Sequence, residues 1–120
     1  MMTTWNSQSI VIYANFPFHV EDWSPRSVNQ GIGGSEEAVI YLSRELAKLG
    51  YEVTVFNQCG DMEGNYDGIE YQRADRFNPL DTFNILIFHR AWTQPMQMNV
   101  KARKTAIWMH DNPQLFAPIE

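Results

Sequence analysis

The sequence predicts an α/β domain built on an open, doubly wound parallel sheet of about five strands. Three observations lead there: apolar runs too continuous for a half-exposed strand, an amphipathic helical pattern between the first two of them, and a very short return from that helix into the second run. The first run, SIVIYANF at 9 to 16, is β-branched and aromatic without alternation, as expected for a strand buried on both faces. A long polar segment, PFHVEDWSPRSVNQ, follows, and its prolines Pro17 and Pro25 argue for a loop. The helical pattern then places Ala38, Leu42, Leu46 and Leu49 on one apolar stripe, with Arg44, Glu45 and Lys48 facing elsewhere.

Gly50 suits the left-handed position past the last helical turn, and YEVTVFN at 51 to 57 opens the second strand at once. Strand, helix and strand with so short a return form a parallel crossover, which is right-handed almost without exception. Beyond it, CGDMEGNYDG at 59 to 68 is rich in turn formers, and IEYQ at 69 to 72 reads as a short strand at a sheet edge. NILIFH at 84 to 89 and KTAIWMH at 104 to 110 are two further buried-type strands, with room for a short helix around Pro95 to Val100.

Composition bounds the function. A chain of 120 residues with 44% hydrophobic and 13% aromatic content has the material for one folded core. The formal charge of −5 repels a nucleic-acid backbone, and Lys101, Arg103 and Lys104 read as a solvated face rather than a phosphate track. A single cysteine, Cys59, rules out an internal disulfide and fits a reducing, cytoplasmic setting. No run approaches the roughly 20 apolar residues of a membrane span.

The segment GIGGSEEAVIYLSRELAKLG at 31 to 50 is the most informative stretch. A helix N-terminus leaves N–H groups unpaired and carries about half a positive charge, so anions settle there. Gly31, Gly33 and Gly34 would let a phosphate or sugar lie against the main chain, with Ser35 as N-cap. On pattern alone this fits an ordinary helix start equally well, since Glu36 and Glu37 belong in any first turn. The dinucleotide fingerprint would need a glycine where Glu36 stands, and a phosphate-binding Walker loop would need a lysine that is absent. An anion at a helix end gains about 0.3–1 kcal/mol, whereas millimolar binding takes about 4, so the loop requires partners.

Those partners are sought at the carboxyl ends of strands, where ligands of doubly wound sheets sit. Asn15 closes the first strand, His89 and Arg90 end the fourth, and His110 and Asp111 end the fifth. His19 with Glu21 and Asp22 lacks a second histidine or cysteine at ligand spacing, so no metal site is expected. Trp23, Trp92 and Trp108 are candidates for stacking on a sugar, although Trp108 lies within a strand and reads as core.

GGSEEAVIYLSRELAKLGYEVTVFN resembles the glycine-glycine-x-glutamate segment, helix and second strand of the N-terminal domain of family-four glycosyltransferases, retaining enzymes of the two-domain B-type fold. KTAIWMHDNP is similar to their later strand, which ends in a histidine at the cleft. The resemblance runs from about Ser9 to Pro113 and rests on Gly33, Gly34, Glu36 and His110. It implies that residues 1 to 120 form a single Rossmann-like, acceptor-side domain of an enzyme that moves a sugar from a nucleotide-diphospho-sugar to an acceptor hydroxyl with retention and without a cofactor. Gly33, Gly34 and Ser35 would admit the donor, Glu36 would start the helix, and His110 would act catalytically on the sugar or its phosphate. Asn15, His89, Arg90 and Asp111, placed by strand-end geometry alone and not by the resemblance, are candidates for the acceptor site or the cleft.

The same resemblance implies that the domain is incomplete: the family binds most of the nucleotide with a C-terminal domain, and these residues alone should be inactive. The competing expectation is a non-catalytic α/β binding or interaction module, whose sheet face, short of covering helices, would drive self-association. A receiver-type domain fits less well, because no acidic cluster directly follows the first strand.

Overall fold

The computed structural model describes residues 2–15, 22–30, 34–89 and 99–108. They form an α/β domain with a six-stranded, mostly parallel sheet. In chain order the elements are β1 (Ser9–Ala14), α1 (Gly34–Lys48), β2 (Glu52–Asn57), β3 (Gly64–Tyr66), β4 (Ile69–Arg73), β5 (Thr82–His89) and β6 (Lys101–Trp108), with a 3-10 turn at Pro25–Gln30. Across the sheet they run β3-β4-β2-β1-β5-β6. All neighbours are parallel except β3 and β4, which form an antiparallel hairpin.

The two central strands explain the unbroken apolar runs, because both of their faces are covered. Ile10, Ile12 and Ala14 of β1 join Val53, Val55, Ile69 and Tyr71 beneath Val39 and Ile40 of α1. On the opposite face Val11 and Tyr13 meet Phe56, Phe77, Phe83, Leu86 and Phe88. The rings there interlock: Tyr13 to Phe77 is 4.6 Å between centroids, and Phe77 stacks on Phe83 at 5.4 Å. Trp5 lies against Phe83 at 6.2 Å, so residues ahead of β1 help to close this face. At the centre of the sheet this face is covered: Val11, Leu86 and Phe88 are all 0% exposed.

Helix α1 ends as its sequence dictates. Gly50 has φ +99°, its N–H bonds to the Ala47 carbonyl at 3.0 Å, and the Tyr51 N–H reaches back to the Leu46 carbonyl at 3.2 Å. These two bonds form a Schellman cap, which reverses the chain into β2 without a loop. The buried stripe, however, is shifted from the expected one. Glu36, Val39, Ile40 and Ser43 are buried, Ala38 and Leu42 are only half-buried, and Leu49 is 74% exposed. The contiguous apolar run AVIYL is compatible with two adjacent stripes, and a buried serine and glutamate mark the true one poorly.

Further corrections concern the sheet. Among the described residues the sheet has six strands rather than about five, because the turn-rich stretch contains a hairpin: Asp67 and Gly68 both take positive φ (56° and 83°) and fold β3 onto β4. β4 is consequently covered by β3 and is not the edge. β6 begins at Lys101, earlier than expected; it is the edge strand beside β5 and is largely exposed rather than buried as its sequence suggested. The helix expected near Pro95 falls mostly outside the described residues, and 99–100 are not helical. No helix among the described residues is long and apolar enough to cross a membrane.

Ahead of β1, the Asp81 carboxylate accepts from the Thr3 N–H at 2.6 Å and the Trp5 indole at 3.1 Å. Asn84 donates to the Ser7 and Ser9 carbonyls and accepts from Arg103 at 2.8 Å. These polar groups sit at the amino ends of β1 and β5 and lock the two strands together.

Candidate functional site: the carboxyl rim of the sheet

A parallel crossover carries the chain from the carboxyl end of one strand to the amino end of the next, so α1 runs against β1 and β2 with its N-terminus toward their carboxyl ends. Gly34 and Glu36 thus belong to the rim on which β1 ends at Ala14, β2 at Asn57, β4 at Arg73, β5 at His89 and β6 at Trp108. Helix α1 begins at Gly34, which puts Ser35 inside the first turn rather than at the cap. Glu36 is 5% exposed, a buried carboxylate in the first turn.

The registry of the strands sets out the rim. Ala14 pairs with Asn57, and Asn57 with Arg73; on the other side Tyr13 pairs with Phe88, and His89 with Trp108. Asn15 and His89 therefore leave adjacent strands at the same end. Asn15 is half-buried, its amide within 3.4 Å of the Tyr13 hydroxyl. His89 is 1% exposed and meets Trp108 edge-on at 4.9 Å, so it is a packed residue beneath the rim surface. Gly33, Arg90, His110 and Asp111 lie outside the described residues, as do His19, Glu21 and Trp92.

Trp23 is not available to stack on a sugar. It is 2% exposed and belongs to the core on the α1 face. Its backbone is tied to the end of β2, with its N–H on the Gln58 carbonyl at 2.9 Å and its own carbonyl accepting from the Asn57 amide at 2.9 Å. Ser24 and Ser27 are buried too, and Met62 sulfur lies 3.3 Å from the Ser24 hydroxyl. Residues 22–27 of the long connection are thus docked structure rather than open loop.

This docking builds a cleft of about 430 Å³ at the carboxyl ends of β1, β2 and β4. Asn15, Asn57, Gln58 and Arg73 come from the strand ends; Asp22, Gly60, Asp61 and Asp75 come from the connections around them. Gly60 takes φ +55°, a left-handed conformation that favours glycine, and a Cβ there would meet the Asp22 carboxylate, which would have to turn aside. Arg73 is engaged by Asp75 at 2.6 Å, and Gln58 donates to Asp22 at 3.2 Å. Behind the cleft, the Arg73 N–H and the Arg76 guanidinium hold the Glu63 carboxyl below its ordinary range. Burial pushes the Cys59 thiol up to about 11.

The sequence reading did not single out the cleft residues from β2 and β4. The signal was there: VFNQ and YQRAD place polar side chains at two more strand ends, and the carboxyl-end rule applies to them as it does to Asn15 and His89. Among the described residues no group of three or more His, Cys, Asp or Glu side chains is arranged to hold a metal ion. No family model, curated protein or solved structure matches the chain.

Proposed function

We propose that the chain is the acceptor-side, Rossmann-like domain of a retaining glycosyltransferase that uses a nucleotide-diphospho-sugar. The observation that carries this reading is the order of the sheet together with what opens α1. Set aside the antiparallel β3, and the parallel strands run third, second, first, fourth, fifth, the arrangement of a doubly wound sheet whose winding reverses beside β1. The helix that starts at this reversal opens on Gly34, Ser35 and Glu36. Backbone N–H groups there suit a diphosphate that gains charge as the sugar departs.

The rim is also suited to dividing the work. The cleft beside β2 and β4 has three carboxylates against one guanidinium, which is already paired, so it repels a diphosphate. Donor phosphates belong on the α1 side, and the activity requires a second, donor-binding domain in addition to this one.

Gly34→Asp tests the reading. An aspartate in the first turn favours the helix, so thermal stability should hold or rise, while its charge opposes a phosphate at the same N–H groups. Calorimetric titration of the chain with UDP-glucose and GDP-mannose should give millimolar binding that weakens about tenfold in Gly34→Asp, with no turnover by these residues alone. Absence of binding by the parent chain would favour a non-catalytic module instead.

A further inference from the structure

We infer that the cleft at the carboxyl ends of β1, β2 and β4 binds a small hydroxylated ligand carrying a protonated amine, of the amino-sugar or amino-alcohol class. The inference does not depend on the transferase reading, which concerns anions at the entrance of α1.

Asn57 provides the first reason. Its side chain is 0% exposed, it forms part of the cleft wall, and its Oδ1 has no hydrogen-bond partner. The amide cannot be turned round to remedy this, because its nitrogen is committed to the Trp23 carbonyl at 2.9 Å. A buried amide oxygen without a donor is costly, and such groups in folded proteins are normally satisfied. A ligand N–H or O–H would satisfy it.

Charge provides the second reason. Of the ionisable groups lining the cleft among the described residues, Arg73 and Asp75 neutralise one another at 2.6 Å, which leaves Asp22 and Asp61 without a cationic partner there. Asp22 accepts from the neutral Gln58 amide, and Asp61 is exposed with no side-chain partner among the described residues. Among the described residues the rest of the wall is chiefly amide, Asn15, Asn57 and Gln58, with Gly60 and Ala74 between them. Two carboxylates without a cationic partner, set among carboxamides, attract a cation that also offers and accepts hydrogen bonds. A bare metal ion fits less well, since the acidic groups do not converge as a ligand set. The volume of about 430 Å³ matches one sugar-sized molecule.

The experiment is a calorimetric titration of the whole chain with glucosamine at mildly acidic pH, where its amine is charged. N-acetylglucosamine, with similar hydroxyls and no charge, and glucose 1-phosphate, an anion, serve as comparisons. Glucosamine should bind, N-acetylglucosamine should bind at least about tenfold more weakly, and glucose 1-phosphate should not compete. Asp61→Asn should weaken glucosamine about tenfold with no change in melting temperature, since the carboxylate is exposed and makes no described bond; Asp22→Asn should weaken it in the same direction. No heat with glucosamine, equal binding of the acetylated sugar, or an affinity indifferent to both substitutions would overturn the inference.

Discussion

Cys59 and Gly60 stand side by side at the floor of the rim, and each makes a claim that one substitution can check. The Cys59 thiol is fully buried, and desolvation, aided by the nearby Glu63 charge, raises it from 9.0 to about 11. Thiol reagents should therefore react with the folded chain far more slowly than with the chain in denaturant. A thiol whose folded value lies above its unfolded one contributes stability that is complete below the unfolded value and is lost as pH rises through the folded one. Between pH 9.0 and about 11 the parent chain should lose more stability than Cys59→Ala, as read from urea midpoints at each pH. Gly60→Ala should cost about 1–3 kcal/mol, from a left-handed backbone and a collision with Asp22. Adding Asp22→Ala should restore the steric part; if the double variant is no better than the single one, the close packing of that turn is wrong.

At the scale of the element, α1 shows both what its sequence reveals and what it hides. Its C-terminal end was legible, since Gly50 closes it with the two bonds of the cap, while its start lies at Gly34, ahead of the cap expected at Ser35. Its orientation was not, because five consecutive apolar residues, Ala38 to Leu42, satisfy two stripes and only packing against β2 and β4 selects one. Ile40→Ala should accordingly cost about 2–5 kcal/mol in chemical denaturation. Leu49→Ala, at 74% exposure, should change stability by no more than about 0.5 kcal/mol. The reverse ranking would restore the stripe first read from the sequence. The strands divide in the same way. β1, β2 and β5 announce themselves because both faces are buried, whereas β3 is three residues long and depends on the positive φ angles of Asp67 and Gly68.

For the whole molecule, the parallel α/β character was legible from the run-helix-run pattern, and the strand order followed from the register rather than from the sequence. The candidate site was legible in part. Asn15 stood out because a polar residue ending an apolar run is conspicuous; the same signal pointed to His89, which shares that end of the sheet but is packed against Trp108. The acidic cleft was missed because its walls come from separated stretches, Asp22, Gly60 and Asp75, that only the docking of Trp23 and the β3–β4 hairpin bring together. Charge follows the same division among the described residues, with carboxylates lacking a cationic partner beside β2 and β4 and a helix entrance beside β1.

The claim on which the account rests is that ligand chemistry gathers on the carboxyl rim, and amide mapping by nuclear magnetic resonance tests it most directly. With the uniformly labelled chain and UDP-glucose in excess, the amides that move should be those of Asn15, Gly34 to Glu36 and His89. Movement confined to Ser7, Glu52, Ile69 and Asp81 to Asn84, at the amino ends of the strands, would contradict it.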